Sequence, residues 1–285
     1  MRNARFAALV VIFAAIFAVI VSSPLVAQWI YYPTAGVPKT ADGKPNLAAP
    51  APRTSEGRPD ISGMWMTPQN VRSCANGCDE VNIPGPENTN FGVSLPGGLP
   101  YTTWAADLMK RRAPTRAMDD PHVNCLPPSF PRAWTLPHIT KIIDSPGVIV
   151  ILDEFNASYR QIYTDGRALP VDPQPTWNGY SAGRWEGDTL VIQTIGFRDD
   201  IWLDTRGSPL TEASRMTERI RRSNFGTLDI DITIEDSKAY TKPWTIHLKQ
   251  AIVLDTEMMD EICLENERSR RHLPGSSPRD RASTK

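Results

Sequence analysis

In "SRMTERIRR", residues 214–222, a period of two aligns Glu218 with Met216 and Ile220, so its carboxylate points toward the apolar side of a strand. A carboxylate placed there needs a partner, and Arg160 or Arg184 can supply a bidentate guanidinium. With a substrate within reach Glu218 would serve as a general base; with none it is one half of an ion pair in the protein wall. Asp153 raises the same choice. It follows the apolar run of "VIVILDEF", 148–155, and of Asp153 and Glu154 only one can face the interior, because neighbours alternate.

The aromatic residues give a second lead. The chain has 8 Trp, and Trp177, Tyr180, Trp185, Trp202 and Trp244 fall in or after the stretch "WNGYSAGRWEGDTLVIQTIGF", residues 177–197. Grouped at the mouth of a barrel they would make an apolar pocket with polar tips for a small hydrophobic or sugar-like molecule, with Arg160 or Arg184 beside it. Trp185 and Trp244 read as core; Trp177, Tyr180 and Trp202 read as loop residues able to meet a ligand. No other chemistry stands out. "GYSAG", 179–183, imitates a nucleophile elbow, but the chain continues into a hairpin instead of a helix. Phosphate-loop, dinucleotide and zinc-protease signatures are absent. A net charge of -1 gives no footprint for nucleic acid.

The elements that must position these residues are strands. "TLDIDITIE", 227–235, sends Leu228, Ile230, Ile232 and Ile234 to one face and Asp229, Asp231 and Glu235 to the other. "WTIHLKQ", 244–250, repeats the pattern with Trp244, Ile246 and Leu248 inward and His247 outward. "VIVILDEF" is apolar through its first five residues and reads as more deeply buried. Hairpin turns are expected at "SPGV", "NAS" and "NFGT", and around Glu186-Gly187-Asp188. Eight or nine such strands without intervening helices predict a mostly β fold: an antiparallel up-and-down barrel of lipocalin-like character, or a strongly curled sheet.

Of the 26 prolines most precede residue 180, so the N-terminal half reads as irregular. One short helix is expected at "WAADLMKRR", capped by Thr102 or Thr103 and turning Trp104 and Leu108 to one face. Residues 1–27 have the charged, apolar and small-residue order of a signal peptide, or of an uncleaved anchor built on residues 6–21. Either way the remainder is exported, periplasmic or secreted, and meets a membrane only through that segment. Residues 28–59 read as a Pro-rich linker outside the fold, 60–267 as one β-rich domain and 268–285 as a basic disordered tail.

In an oxidising compartment the 4 cysteines read as two disulfides, most simply the local pair Cys74 and Cys78 with the distant pair Cys125 and Cys263. His122 three residues before Cys125 offers a metal alternative, but a second ligand pair is missing, so no metal and no cofactor is expected.

Taken together, "PDISGMW", "DDPHVNCLPPSFPRAW", "YRQIYTDGR", "PTWNGYSAGRWEGDTLVIQTIGF", "MTERIRR" and "TIEDSKAYTKPWT" resemble a family of exported bacterial proteins of unknown function, over roughly residues 59–267. The resemblance implies a mostly β, barrel-like domain and assigns Cys125 and Cys263 to motif positions, with Cys74 and Cys78 outside them. Many similar members carry histidines where this chain has Leu169, Tyr180 and Leu210, so any histidine chemistry of theirs is missing here. The expected function is binding of a small, partly apolar molecule; the alternatives are a lyase, isomerase or hydrolase using Glu218 or Asp153 with an arginine, and a structural envelope protein.

Overall fold

The computed structural model describes residues 32–68, 86–115 and 117–266. The expectations for residues 1–27, Cys74, Cys78 and the tail 268–285 lie outside them. Two compact units divide the chain, Thr34–Leu254 with Met258–Lys285, and Met1–Pro33 with Asp255–Glu257. The first carries the barrel; the described residues of the second form no helix or strand. No helix among the described residues is long and apolar enough to cross a membrane.

Nine strands close into a barrel: β1 (Gly63–Met66), β2 (Thr140–Ser145), β3 (Val148–Asp153), β4 (Ser158–Tyr163), β5 (Tyr180–Glu186), β6 (Thr189–Ile195), β9 (Arg215–Asn224), β10 (Thr227–Glu235) and β11 (Trp244–Ile252). Their order around the ring is β1-β11-β10-β9-β6-β5-β4-β3-β2. The two-residue strands β7 (Ile201–Trp202) and β8 (Pro209–Leu210) form a separate ribbon. Alternation fills the interior: Leu228, Ile230, Ile232 and Ile234 from β10 meet Trp244, Ile246 and Leu248 from β11, all buried as the sequence requires. His247 is exposed outside. In β3 only Ile149, Ile151 and Asp153 are buried, so this strand alternates like the others and is less deeply covered than its apolar run implied.

The barrel is not purely up-and-down. β4 and β5 pair in parallel through just two registers, Ile162 with Ser181 and Tyr163 with Ala182, while every other barrel pairing is antiparallel. Parity demands this, because an odd ring of strands cannot alternate direction throughout. Parallel neighbours also need a long return connection, here residues 164–179.

A plug closes the interior. Residues Ser129–Leu136, including a 3-10 turn at Arg132–Thr135, are buried, and Phe130 and Trp134 pack edge to face at 5.1 Å. Arg132 holds the plug through a bidentate pair with buried Asp120, at 2.8 and 2.7 Å. Helix α1 (Pro86–Thr89) lies beside this turn, and helix α2 (Thr103–Arg112) begins at Thr102, whose hydroxyl accepts the Ala105 N–H at 3.2 Å. The face α2 buries is that of Ala105; Trp104 stays 40% exposed, against the expected Trp104–Leu108 contact face. Lys238 lies over the Trp104 ring instead.

Residues 34–60 are not an extended linker outside the fold. Two turns of the same design, "PKTADGKPN" at 38–46 and "PRTSEGRPD" at 52–60, each close on an antiparallel bridge, Lys39 with Pro45 and Arg53 with Pro59. The second grips the barrel through Arg53 to Asp188 and Arg58 to Asp144. Between the turns, the carbonyls of Leu47 and Ala49 accept the Gly226 and Phe225 N–H groups. The Leu47 chain passes so close that a Cβ on Gly226 would lie 2.7 Å from Leu47 Cβ and 3.1 Å from its carbonyl oxygen. Gly226→Ala is therefore expected to lower stability in urea by about 1–3 kcal/mol, the usual cost of overpacking, and to raise protease cleavage within residues 34–60. Unchanged cleavage would show that this segment does not depend on the contact.

Candidate functional site

Inside the barrel, four neighbouring strands contribute one polar side chain each at one level. Arg160 comes from β4, Ser181 from β5, Thr194 from β6 and Glu218 from β9, all at most 2% exposed. Arg160 Nη2 donates to Glu218 Oε2 at 2.5 Å and to Thr194 Oγ1 at 2.8 Å, while its Nε donates to Ser181 Oγ at 3.1 Å. The other Glu218 oxygen accepts the Trp134 indole N–H of the plug at 3.0 Å. Arg160 also lies over the Phe130 ring, 5.2 Å from its centre, and its Nη1 has no hydrogen-bond partner among the described residues. The sequence placed Glu218 inward and proposed its arginine. The partner is Arg160; Arg184 points outside and pairs with exposed Glu186 at 2.7 Å. Glu218 has no free oxygen: Oε1 and Oε2 are both engaged. The geometry is that of a buried ion pair in the barrel wall.

Asp153 also faces inward, 1% exposed, and accepts the Phe155 N–H at 2.9 Å through Oδ1. Its Oδ2 has no partner among the described residues. Burial pushes its pKa up to about 7, against the pull of the Phe155 N–H, and the carboxylates of Glu154 and Glu261 add to the rise. Phe155 is flanked by two histidine rings, His122 at 4.4 Å and His138 at 5.4 Å. Burial, then Arg132 and His138, push His122 down to about 3, so it is neutral at physiological pH. Cys125 is bonded to Cys263 and thus is not a metal ligand. The Asn156 side chain bridges the two halves, donating to the Cys125 carbonyl at 2.7 Å and accepting the Cys263 N–H at 3.1 Å.

Outside the wall, at the parallel junction, lies a cleft of about 500 Å³. Strand pairing stops at Ile162 and Ser181, so the first half of β4 diverges from the returning segment 176–179. Asn178 spans the gap, donating to the Tyr159 carbonyl at 2.9 Å and accepting the Phe130 N–H at 3.3 Å. Ser129 Oγ donates to the Trp177 carbonyl. Gly179, at φ +64, lies where a Cβ would come within 2.7 Å of the Ile195 carbonyl, which explains a glycine between Asn178 and Tyr180. Tyr159, Gln161 and Tyr163 stand on one outward row of β4, and Trp177 and Tyr180 supply the opposite wall. Tyr163 and Tyr180 stack at 5.3 Å, Arg167 lies 3.8 Å over Tyr163, and Arg198 lies 4.7 Å over Trp177.

Of the expected ligand residues, Trp177 and Tyr180 therefore meet in one cleft, placed at the seam and not at a barrel mouth, which the plug fills. Arg160 lines the same cleft but turns its guanidinium inward. Trp202 is elsewhere: it belongs to β7, is 5% exposed, and carries Arg112 over its ring at 4.4 Å. Arg184 is on the outer surface away from the cleft. The sequence reasoning missed Tyr159, Gln161 and Tyr163, although their spacing in "YRQIYT" already put them on one face. No protein-family profile, no curated protein and no solved structure matches the chain.

Two expectations follow from the interior groups. Glu218→Gln should lower stability in denaturant titration by about 3–5 kcal/mol by leaving Arg160 charged, buried and unpaired, whereas Glu218→Leu with Arg160→Met should recover most of that loss. Equal losses in the single and double variants would dismiss the pair. For Asp153 the folded pKa lies above the unfolded value near 3.8, so the folded state binds the extra proton. Stability should fall as pH rises from about 4 to about 7, by about 4 kcal/mol at most, and Asp153→Asn should remove that slope. A slope unaltered by Asp153→Asn would assign it to other groups.

Proposed function

We propose that the chain is an exported protein that holds a small, partly apolar ligand in the cleft at the β4–β5 seam. The observation that carries this reading is the cleft itself: about 500 Å³, within the range of small-molecule sites, and walled by Tyr159, Tyr163, Trp177 and Tyr180. Aromatic residues with one face on the protein and one toward solvent give large contact area at little entropic cost. Export is supported by the charged, apolar and small-residue order of residues 1–27 and by the Cys125–Cys263 disulfide, a bond that persists in oxidising compartments. No observation favours Glu218 as a base, since Trp134 and Arg160 engage it fully.

The test is native mass spectrometry of the protein purified from its own compartment, compared with Trp177→Ala/Tyr180→Ala. An added mass lost on denaturation should be present in the parent and absent or at least tenfold less occupied in the double variant, about 1.4 kcal/mol of binding. Equal occupancy in both would move the ligand away from this cleft.

A further inference from the structure

Resting on that reading of the cleft, we infer that its ligand is a neutral oligosaccharide laid lengthwise along β4.

Charge is the first argument. No carboxylate lines the cleft. The two guanidiniums on its aromatic walls already hold carboxylates: Arg167 binds Asp165 at 2.6 and 2.9 Å, and Arg198 binds Asp200 at 2.7 and 2.9 Å. Arg160, the remaining charged residue at the cleft, is paired inside with Glu218. An anionic ligand would have to displace a carboxylate already in place, and a cationic one would find no carboxylate in the lining and two of its rings already covered by Arg167 and Arg198. A neutral ligand meets neither penalty.

Length is the second argument. Tyr159 and Tyr163 lie four residues apart on one face of β4, which at the rise of an extended strand separates them by about 13 Å. One small ring cannot touch both, whereas linked rings can. Their flat apolar faces can stack in turn on Tyr159, which is 63% exposed, and on the Tyr163–Tyr180 pair.

Hydrogen bonding is the third. Beyond Ile162 the seam side of β4 has no strand beside it, and the amide nitrogen of Gln161, between the two tyrosines, has no hydrogen-bond partner among the described residues. A hydrocarbon lying there would strip water from this amide without replacing its bonds. Sugar hydroxyls both donate and accept, so they serve such an edge while the ring C–H faces cover the tyrosines.

The full-length protein is titrated, by saturation-transfer NMR and tryptophan fluorescence, with cellotriose, maltotriose, mannotriose, xylotriose and triacetylchitotriose. The corresponding monosaccharides, trigalacturonate and p-cresol are run beside them. At least one neutral trisaccharide should bind, at least tenfold tighter than its monosaccharide, and Tyr159→Ala should weaken it at least tenfold with an unchanged circular dichroism spectrum. Trigalacturonate bound more tightly than every neutral trisaccharide would overturn the neutrality argument and with it the proposal. Binding of p-cresol, lost in Trp177→Ala, with no trisaccharide bound would overturn the saccharide while leaving the ligand cleft standing. No probe bound, together with no added mass in the native protein, would remove both.

Discussion

A ring of nine strands must contain at least one parallel pair, and the position of that pair, between β4 and β5, organises much of the molecule. Two parallel neighbours cannot be joined by a tight turn; the chain has to travel back along the barrel before starting the second strand. That return is the segment 164–179, and its last residues, Thr176 to Gly179, approach β4 without pairing with it. The space left between them is the cleft. It is therefore a consequence of closing an odd barrel, and its two walls come from the strand before the return and from the return itself.

A junction with two registered residue pairs is weak, and side chains reinforce it from both faces. Outside, Asn178 takes the place of a neighbouring strand by binding the Tyr159 carbonyl. Inside, the row Arg160, Ser181, Thr194 and Glu218 crosses from β4 over β5 and β6 to β9 with continuous hydrogen bonds. An ion pair so deeply buried gains little over well-packed apolar residues, because both charges lose their water. Its position across the seam gives it a structural use: it ties β4 to three strands at the place where backbone bonding is thinnest, and through Trp134 it fastens the plug to the same point.

The period-two strands were legible in the sequence because each alternates a buried and a solvated face. "TLDIDITIE" and "SRMTERIRR" carried their orientation openly, and an inward Glu218 implied an inward arginine. Choosing Arg160 over Arg184 was also within reach, since an inward Trp185 turns Arg184 outward. The parallel seam was not legible. It depends on how many strands close the ring, which no local pattern records. Trp202 failed for a related reason: a two-residue strand has no period, so a buried ribbon reads as loop. The docking of residues 34–60 was hidden by composition, because prolines that suggest a linker here build two repeated turns, and the arginines of the second turn and the Leu47 and Ala49 carbonyls between the turns meet the barrel.

β4 carries two chemistries on opposite faces of one short strand. Its inward residues are Arg160 and Ile162; its outward row is Tyr159, Gln161 and Tyr163. Because neighbouring side chains on a strand are fixed in opposite directions by the pleat, holding Arg160 in its network also fixes the backbone that aims the tyrosines. A ligand in the cleft would then meet rings whose strand is already ordered, and less conformational entropy would be lost on binding. The buried charges need not touch the ligand to matter to it: they act through the strand they hold.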